Sequence, residues 1–233
     1  MSYIGILGAM KEELDLLLQQ MEDPRTDRHG GIAFVTGKLR GRSVVVSMSG
    51  VGKVNAAVTT QLMIDRYQVT SVLFTGVAGA VDPNLQIGDI VISSSCQQHD
   101  MDVRALGYER GVIPYQEVSD FPANPALIKL AKQACETVCK DHRYMIGRVL
   151  SGDRFIADRS AVKDLYESLQ GACVEMEGAA VAQVCYMNQV PYVVLRSMSD
   201  KADGSAHVNF AEFTVQAANR SSAILNEMLG QIL

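Results

Sequence analysis

Short runs of apolar, often β-branched residues alternate with longer amphipathic segments along this chain, and this alternation limits its fold most. Tyr3–Leu7 and Pro191–Met198 are runs in which both faces of an extended chain would be largely apolar. A strand of that kind is buried on both sides, and helices that lie between strands in sequence supply the cover. The pattern therefore predicts an α/β fold, in which helices pack against a parallel or mixed sheet.

The predicted elements fill most of the chain and leave no linker between them. The sequence predicts strands at Tyr3–Leu7, Ile32–Thr36, Ser43–Ser49, Val72–Thr75, Asp89–Ser93, Met145–Ser151 and Pro191–Met198, and the end of a further strand at Val174–Met176. It predicts helices at Met10–Glu22, Val54–Tyr67, Asn124–Lys140, Asp158–Leu169, Glu177–Asn188 and Phe210–Leu233. Residues 96–123 show little regular pattern, and loops of that length inside a domain are usually functional or interfacial. Because no Pro/Ser-rich stretch, charge block or repeat divides the chain, we expect a single domain over residues 1–233.

Composition and charge exclude several classes of protein. The chain is 48% hydrophobic and has a net charge of only −5, which is not the composition of a disordered protein. No cluster of Lys or Arg exceeds two adjacent residues, so we expect no nucleic-acid partner. The longest apolar run, Ser71–Val81, is much shorter than the roughly 18 residues that a membrane-spanning helix needs. We therefore expect a soluble protein with no membrane partner.

The cysteines and the N-terminal residues point to the cytoplasm. The cysteines form an odd number with no C-x-x-C pair, which favours reduced thiols in the core over a redox or metal site: Cys96, Cys135, Cys139, Cys173 and Cys185. The first residues lack the basic region of a signal peptide and reach an acidic residue at Glu12. We therefore expect a cytoplasmic location.

Carboxylates and one arginine stand where predicted strands end. Glu13 follows the first strand, and Glu175 and Glu177 lie at a strand–helix junction in apolar surroundings. Asp200 follows the strand that contains Arg196, whose guanidinium needs an acidic partner. Ligands of such sheets bind beyond the carboxyl ends of the strands, so this grouping favours a functional site over isolated ion pairs.

The residue types in this grouping suggest a reaction class. Carboxylates without a metal cluster suit general acid–base catalysis on a bond whose cleavage builds positive charge. In glycosidic hydrolysis one acid protonates the leaving group and another activates water, while the transition state resembles an oxocarbenium ion. No G-x-S-x-G motif and no supported Cys/His pair offers a competing nucleophile.

Three other motifs indicate a site less strongly. Ser49–Val54 lacks the first glycine and the Ser/Thr of a phosphate-binding loop, and it also fails the dinucleotide-binding pattern. Thr75–Ala80 has glycines three residues apart, which let a ligand approach the main chain, although such segments are more often tight turns. His99–Asp102 alternates His or Met with Asp in the manner of a metal-binding string, but it lacks a further His, and we expect no metal there.

These motifs, taken in order, resemble those of the bacterial 5′-methylthioadenosine/S-adenosylhomocysteine nucleosidases of the nucleoside phosphorylase superfamily. The resemblance runs from Ile4 to the final helix. It rests on the segments Gly5–Met10 with Glu12-Glu13, Ser49–Val54, Thr75–Gly79, Gly88–Val91, His99–Val103, Ser151–Ile156, Val174–Glu177 and Arg196–Asp200. The resemblance implies a three-layer α/β/α sandwich around a mixed, mostly parallel twisted sheet. It also implies a homodimer, an adenine nucleoside substrate, and no metal or cofactor.

The resemblance also implies roles for the charged residues. Glu13 matches the general base that takes a proton from the attacking water, and Arg196 matches a residue near that water. Asp200, oriented by Ser199, matches the acid that protonates N7 of adenine. Glu177 matches the carboxylate that binds the ribose hydroxyls and supports the charged transition state.

The remaining matches concern the walls of the substrate pocket. Phe155 resembles the residue that stacks on adenine, and the main chain of Phe155 and Ile156 resembles the reader of its edge. Met176 corresponds to a residue under the ribose. The apolar wall of the 5′-alkylthio pocket is matched by Val51, Val103, Leu106, Tyr108 and Phe210, and Leu106 and Pro114 match wall residues that the neighbouring subunit supplies. Ala9, Val77, Ala78, Gly79, Val174 and Glu175 complete the expected binding set.

Two departures from the family pattern leave alternatives open. Val77 stands where many members have Ser, and Leu106 replaces a common Phe, so the ranking of substrates is not predicted. A nucleoside phosphorylase is disfavoured, because Phe74 and Val77 stand where bacterial purine phosphorylases resemble one another in having Arg and Ser. The charge of Glu13 would also repel the phosphate dianion. A futalosine-type hydrolase and a non-catalytic nucleoside-binding protein are the other readings, and the presence of all three carboxylates argues against the second.

Overall fold

Ten strands and six α-helices are present in the computed structural model, which describes residues 2–141, 143–202 and 206–232, with only the backbone of 206–212. The strands are β1 Ile4–Gly8, β2 Glu22–His29, β3 Ile32–Leu39, β4 Arg42–Met48, β5 Ser71–Ala80, β6 Ile90–Gln98, β7 Asp120–Pro122, β8 Tyr144–Ser151, β9 Gly171–Glu175 and β10 Tyr192–Asp200. The helices are α1 Asp15–Gln19, α2 Lys53–Tyr67, α3 Pro125–Val138, α4 Arg159–Leu169, α5 Gly178–Met187 and α6 Ala206–Gln231. Short 3-10 turns lie at Lys11–Glu13 and Arg104–Leu106.

All ten strands belong to one mixed sheet with the order β10-β6-β8-β9-β5-β1-β4-β3-β2, and β7 pairs with β6. β10 also pairs with β5, so the sheet closes on itself. The strands of the closed part are β10, β6, β8, β9 and β5. The predicted α/β class is confirmed. The sheet is not mostly parallel, because the described pairings divide equally into five parallel and five antiparallel. The antiparallel pairs are β10–β6, β5–β9 and β6–β7, and the two pairs of the β2–β3–β4 meander.

Helices cover both faces of this sheet, and the alternation of side chains along the strands divides the core between them. On β5, Val72 and Phe74 point into a core formed with α2 and α5, while Leu73 points into a core formed with α1, α3 and α6. The helix layers begin at caps that the sequence contains. The side chains of Asn124 and Asp158 accept hydrogen bonds from the first main-chain N–H groups of α3 and α4.

The segment after β1 differs from the predicted helix Met10–Glu22. The chain instead forms the 3-10 turn and α1, and then enters β2 at Glu22. The Glu13 carboxylate turns back to accept hydrogen bonds from the main-chain N–H groups of Ala9 and Met10, which holds the tight turn. The hydrophobic pattern did not predict β2, because this strand is exposed and polar and lies at the edge of the sheet, where it pairs with β3.

Several strands are longer than their patterns predicted, and the extensions of β5 and β6 are the largest. β5 continues through the Gly-rich segment to Ala80, because β10 and β9 pair with it and every residue of it is buried. β6 continues to Gln98 and β7 pairs with it, so residues 96–123 are regular at both ends. Between them the chain has only the short turn at Arg104–Leu106.

Two further observations concern the burial of the cysteines and the lengths of the helices. Cys96, Cys135, Cys173 and Cys185 are free and buried, and Cys139 is free and partly buried, as expected for core thiols. No helix within the described ranges is long and apolar enough to cross a membrane.

We expect Val193→Ala to lower the free energy of unfolding by about 2 kcal/mol, since it removes two buried methyl groups and leaves a cavity. Val193 lies in β10 and is fully buried in the core beneath α3 and α6. Val215→Ala makes the same chemical change on the 56%-exposed side chain of α6 and serves as the control. Urea unfolding of both variants at one protein concentration measures the difference, and equal losses would contradict this placement of the core.

Candidate active site

A cavity of about 280 Å³ lies where the carboxyl ends of several strands meet. Its walls come from the segments that follow β1, β4, β8 and β9, and from the ends of β5, β9 and β10. Most of the candidate residues predicted at strand ends line this one cavity. They are Ala9, Glu13, Val51, Val77, Ala78, Gly79, Phe155, Ile156, Val174, Glu175, Met176, Glu177, Ser199 and Asp200.

Glu13 is buried at one end of the cavity and is held by main-chain donors. One carboxylate oxygen accepts hydrogen bonds from the N–H groups of Ala9 and Met10 at 2.6 and 3.0 Å, and the other accepts from Val77 at 3.0 Å. Burial raises the pKa of Glu13, although Arg196 and the three N–H groups oppose this. The result is a fixed carboxylate that is a stronger base than an exposed one.

Gly76 lets the Glu13 and Arg196 side chains approach the main chain of β5. A Cβ atom at this position would lie 2.5 Å from Oε1 of Glu13 and 2.8 Å from Nη1 of Arg196. Any larger residue would therefore displace the charged groups. This close approach gives a physical reason for the glycine that the sequence analysis assigned to a turn or a binding loop.

Arg196 lies behind the cavity wall and not on it. Its side chain is fully buried, contacts the Phe74 ring 4.0 Å from the centroid, and donates to Oε2 of Glu175 from Nη2 at 2.6 Å. Glu175 also accepts hydrogen bonds from the Ser151 hydroxyl and from the N–H of Gly178 at the start of α5. A buried charge of this kind is stable only with such partners, so the pair is a framework for the other carboxylates.

Glu177 faces the same cavity one residue beyond Met176. Its Oε1 accepts a hydrogen bond from the N–H of Gly52 at 2.8 Å. Burial and the nearby Glu175 raise the pKa of Glu177 to about 8, against the opposing effects of Arg196 and Gly52. A carboxyl group with such a pKa can change its protonation state near neutral pH, which is typical of functional sites.

Asp200 ends β10 on the side of the cavity near Ser199. The Ser199 hydroxyl donates to Oδ2 of Asp200 at 2.8 Å, and the N–H of Ala202 donates to Oδ1 at 2.7 Å. The carboxyl group is 2% exposed and lies on the cavity wall. Its neighbours orient it, so it can exchange a proton with a ligand in the cavity.

The predicted alkylthio wall is only partly present in the single chain. Val103, Leu106, Tyr108 and Pro114 lie in the excursion outside the cavity, and the Leu106 side chain is 73% exposed. The side chain of Phe210 lies outside the described residues. Two cavity residues were not predicted, Met10 and Arg154, although each follows a strand and stands beside a predicted residue. Their position after β1 and β8 is the signal that could have found them.

The His99–Asp102 string serves as part of the protein framework. The main-chain oxygen of His99 accepts a hydrogen bond from Nε of Arg110, and Asp100 forms an ion pair with Lys53. Asp102 pairs with Arg104 at the surface. Within the described residues no group of three or more His, Cys, Asp or Glu side chains could hold a metal ion.

The arrangement can perform acid–base chemistry on one small ligand. Buried carboxylates stand on opposite elements of a cavity whose remaining wall is mostly apolar. Exclusion of water strengthens electrostatic interactions between such groups and a developing positive charge. Phe155, half-exposed at the cavity mouth, offers an aromatic face to a flat heterocycle.

Comparison with known proteins agrees with this geometry. The phosphorylase superfamily matches residues 3–230. The 5′-methylthioadenosine/S-adenosylhomocysteine nucleosidase of Shewanella sediminis is 42% identical over 98% of this chain and 99% of its own. The Neisseria meningitidis nucleosidase of the same name, solved with methylthio-immucillin-A, superposes with a TM-score of 0.95 at 35% identity over the full length of both chains.

A second kind of enzyme has the same fold. A futalosine hydrolase of Helicobacter pylori superposes with a TM-score of 0.94 at 34% identity, over 99% of this chain and 98% of its own. The nucleosidase relative has the higher sequence identity and nearly complete coverage. On these matches, the chain belongs to the phosphorylase superfamily and, within it, to the family of 5′-methylthioadenosine/S-adenosylhomocysteine nucleosidases.

Proposed function

We propose that this protein hydrolyses the N-glycosidic bond of 5′-methylthioadenosine and S-adenosylhomocysteine, and also that of 5′-deoxyadenosine, with release of adenine. One observation carries the proposal: Glu13, Glu177 and Asp200 are all buried and all line one cavity with Phe155. Cleavage of this bond builds positive charge on the ribose and negative charge on adenine. Fixed carboxylates stabilise the positive charge on the ribose, and a proton donor neutralises the negative charge on adenine.

Each carboxylate has a distinct proposed role. Glu13 takes a proton from the attacking water, since burial raises its pKa and three N–H groups fix its orientation. Asp200, oriented by Ser199, delivers a proton to N7 of an adenine that stacks on Phe155. Glu177 binds the ribose hydroxyls above Met176, and its ionised form stabilises the oxocarbenium-like ribose. Arg196 acts through Glu175 and Glu13, and no proposed step uses a metal or a cofactor.

The structure offers little to a phosphate nucleophile. Phe74 is fully buried beneath Arg196, and the Val77 N–H donates to the Glu13 carboxylate. The charge of that carboxylate would repel a phosphate dianion at this end of the cavity. Hydrolysis is therefore favoured over phosphorolysis, and futalosine remains the competing substrate for the same catalytic groups.

The first test is a purified-protein assay in phosphate-free buffer with methylthioadenosine, S-adenosylhomocysteine, 5′-deoxyadenosine and futalosine. We expect adenine release from the first three without phosphate, and a much lower kcat/KM for futalosine. Glu13→Gln is expected to lower kcat by about 100-fold or more, because the amide cannot accept the proton of water. A strict requirement for phosphate would contradict the hydrolytic proposal, and a preference for futalosine would contradict the substrate assignment.

Asp200→Asn is expected to lower turnover of methylthioadenosine by about 100- to 10,000-fold, since adenine leaves poorly as an anion. Substrate binding should survive because the amide can still donate to N7. A nitrophenyl riboside, whose leaving group departs without protonation, tests the role. Asp200→Asn should keep far more activity on it than Glu13→Gln does, and equal losses on both substrates would exclude the acid role.

We further propose that the whole chain acts as one domain in a cytoplasmic homodimer. Val54 and Val58 lie one turn apart on α2 and are 74% and 48% exposed. Val51, just before this helix, is 50% exposed, and Leu106 is exposed as well. An apolar surface of this extent favours a protein interface. In the dimer, Val103, Leu106, Tyr108 and Pro114 of one copy would complete the alkylthio wall of the other.

Sedimentation at micromolar concentration should therefore show a dimer. Val54→Glu places a charge at the centre of this apolar surface and should shift the protein to monomers, with a higher KM for methylthioadenosine. Gln133→Glu, on the exposed face of α3, adds the same single negative charge and is the control. A wild-type protein that sediments only as a monomer would contradict the proposal.

A further inference from the structure

Three loops that follow β4, β6 and β8 are joined by a closed ring of hydrogen bonds. Nζ of Lys53 donates to Oδ1 of Asp100 at 2.6 Å, and the N–H of Asp153 donates to Oδ2 of Asp100 at 3.0 Å. The ring closes where the N–H of Lys53 donates to Oδ1 of Asp153 at 2.8 Å. Each member therefore fixes the other two across long sequence separations.

The ring is sheltered from solvent. The side chains of Lys53 and Asp100 are 18% and 23% exposed, and Nζ of Lys53 also donates to Oε1 of Gln98 at 3.0 Å. Burial opposes ionisation of Asp100, but the hydrogen bonds from Lys53 and Asp153 outweigh it and lower the pKa of Asp100. Asp100 is thus ionised at neutral pH. Neither Lys53 nor Asp100 lines the cavity.

The ring reaches the cavity through the residue that precedes Lys53. Gly52 has a φ of +97°, a conformation that favours glycine, and its N–H points at Oε1 of Glu177. The Lys53 main chain, tied to Asp153, fixes the direction of this N–H. The other charged groups that face Glu177 are Glu175 on β9, Arg196 on β10 and Glu13 after β1. Two of these three are carboxylates that disfavour its ionised form.

We infer that the Lys53–Asp100 pair is a positioning device, which holds the Gly52 N–H against Glu177 so that the ionised form of this carboxylate is favoured and aimed at the ribose. The inference deepens the proposed function and rests on it for the role of Glu177. Lys53 belongs to the Ser49–Val54 motif and Asp100 to the His99–Val103 motif. The chemistry proposed for the cavity gives neither residue another role. Both act through Gly52 and not by contact with substrate.

The test compares Asp100→Asn with a matched control, Asp120→Asn. Asp120 is a partly exposed carboxylate that forms an ion pair with Arg148, and neither residue lines the cavity. Asp100→Asn should lower kcat/KM for methylthioadenosine about tenfold, in line with a weakened hydrogen bond to a charged group. Its kcat/KM should also rise at higher pH than in the wild type, by about one pH unit, since Glu177 then binds its proton more tightly.

Coupling between the two side chains gives a second readout. Lys53→Met should reproduce the loss and the pH shift, and the double variant should be no worse than either single one, because all three break the same link. Asp120→Asn should leave the pH profile unchanged even if it lowers stability. Additive losses, or a profile of Asp100→Asn that superposes on that of Asp120→Asn, would overturn the inference.

A titration that needs no activity separates this inference from the proposed function. The side-chain ¹³C resonance of Glu177, assigned by its loss in Glu177→Gln, should report a pKa of about 8 in the wild type. The pKa should be higher in Asp100→Asn and unchanged in Asp120→Asn. An unchanged pKa in Asp100→Asn would refute the positioning role, whereas a wild type that releases no adenine would refute the proposed function alone.

Discussion

The buried guanidinium of Arg196 is the constraint on which the rest of the site depends. It is fully enclosed, stacks on Phe74 and pairs with Glu175, which in turn caps the start of α5. An isolated charge in this position would cost more than a small domain can supply, so the carboxylates around it are required by stability as well as by chemistry. The same positive charge partly offsets the repulsion between Glu13 and Glu175 on one side and Glu177 on the other.

Different surroundings give the carboxylates of the cavity different properties. Glu13 receives three main-chain N–H groups, whereas Glu177 receives the single N–H of Gly52 and lies near Glu175, so burial and repulsion raise its pKa to about 8. Asp200 is oriented by a hydroxyl and a main-chain N–H. The three carboxylates thus differ in what each is bonded to, and these differences support the proposed roles of base, charge stabiliser and proton donor.

Closure of the sheet places these groups together. β10 pairs with both β5 and β6, so the ends of β5, β9 and β10 surround one cavity instead of lying along an open edge. The loops after β4, β6 and β8 are then near enough for Lys53, Asp100 and Asp153 to bond to one another. The excursion that contains Leu106 stays outside the cavity of its own chain, which leaves the proposed alkylthio wall for a second copy to complete.

The sequence by itself determined the α/β class, most of the helices, the reduced thiols and the carboxylates at strand ends, because hydrophobic period and helix caps such as Asn124 and Asp158 are local signals. Local signals could not show that β5 runs through Gly76 to Ala80, or that the polar residues of β2 form an edge strand, since pairing with distant strands decides both. The sequence also could not tell that Arg196 lies behind the cavity and not on its wall. That position follows from which side chains of β10 the closed sheet turns inward, and that direction is set by register between strands far apart in the chain.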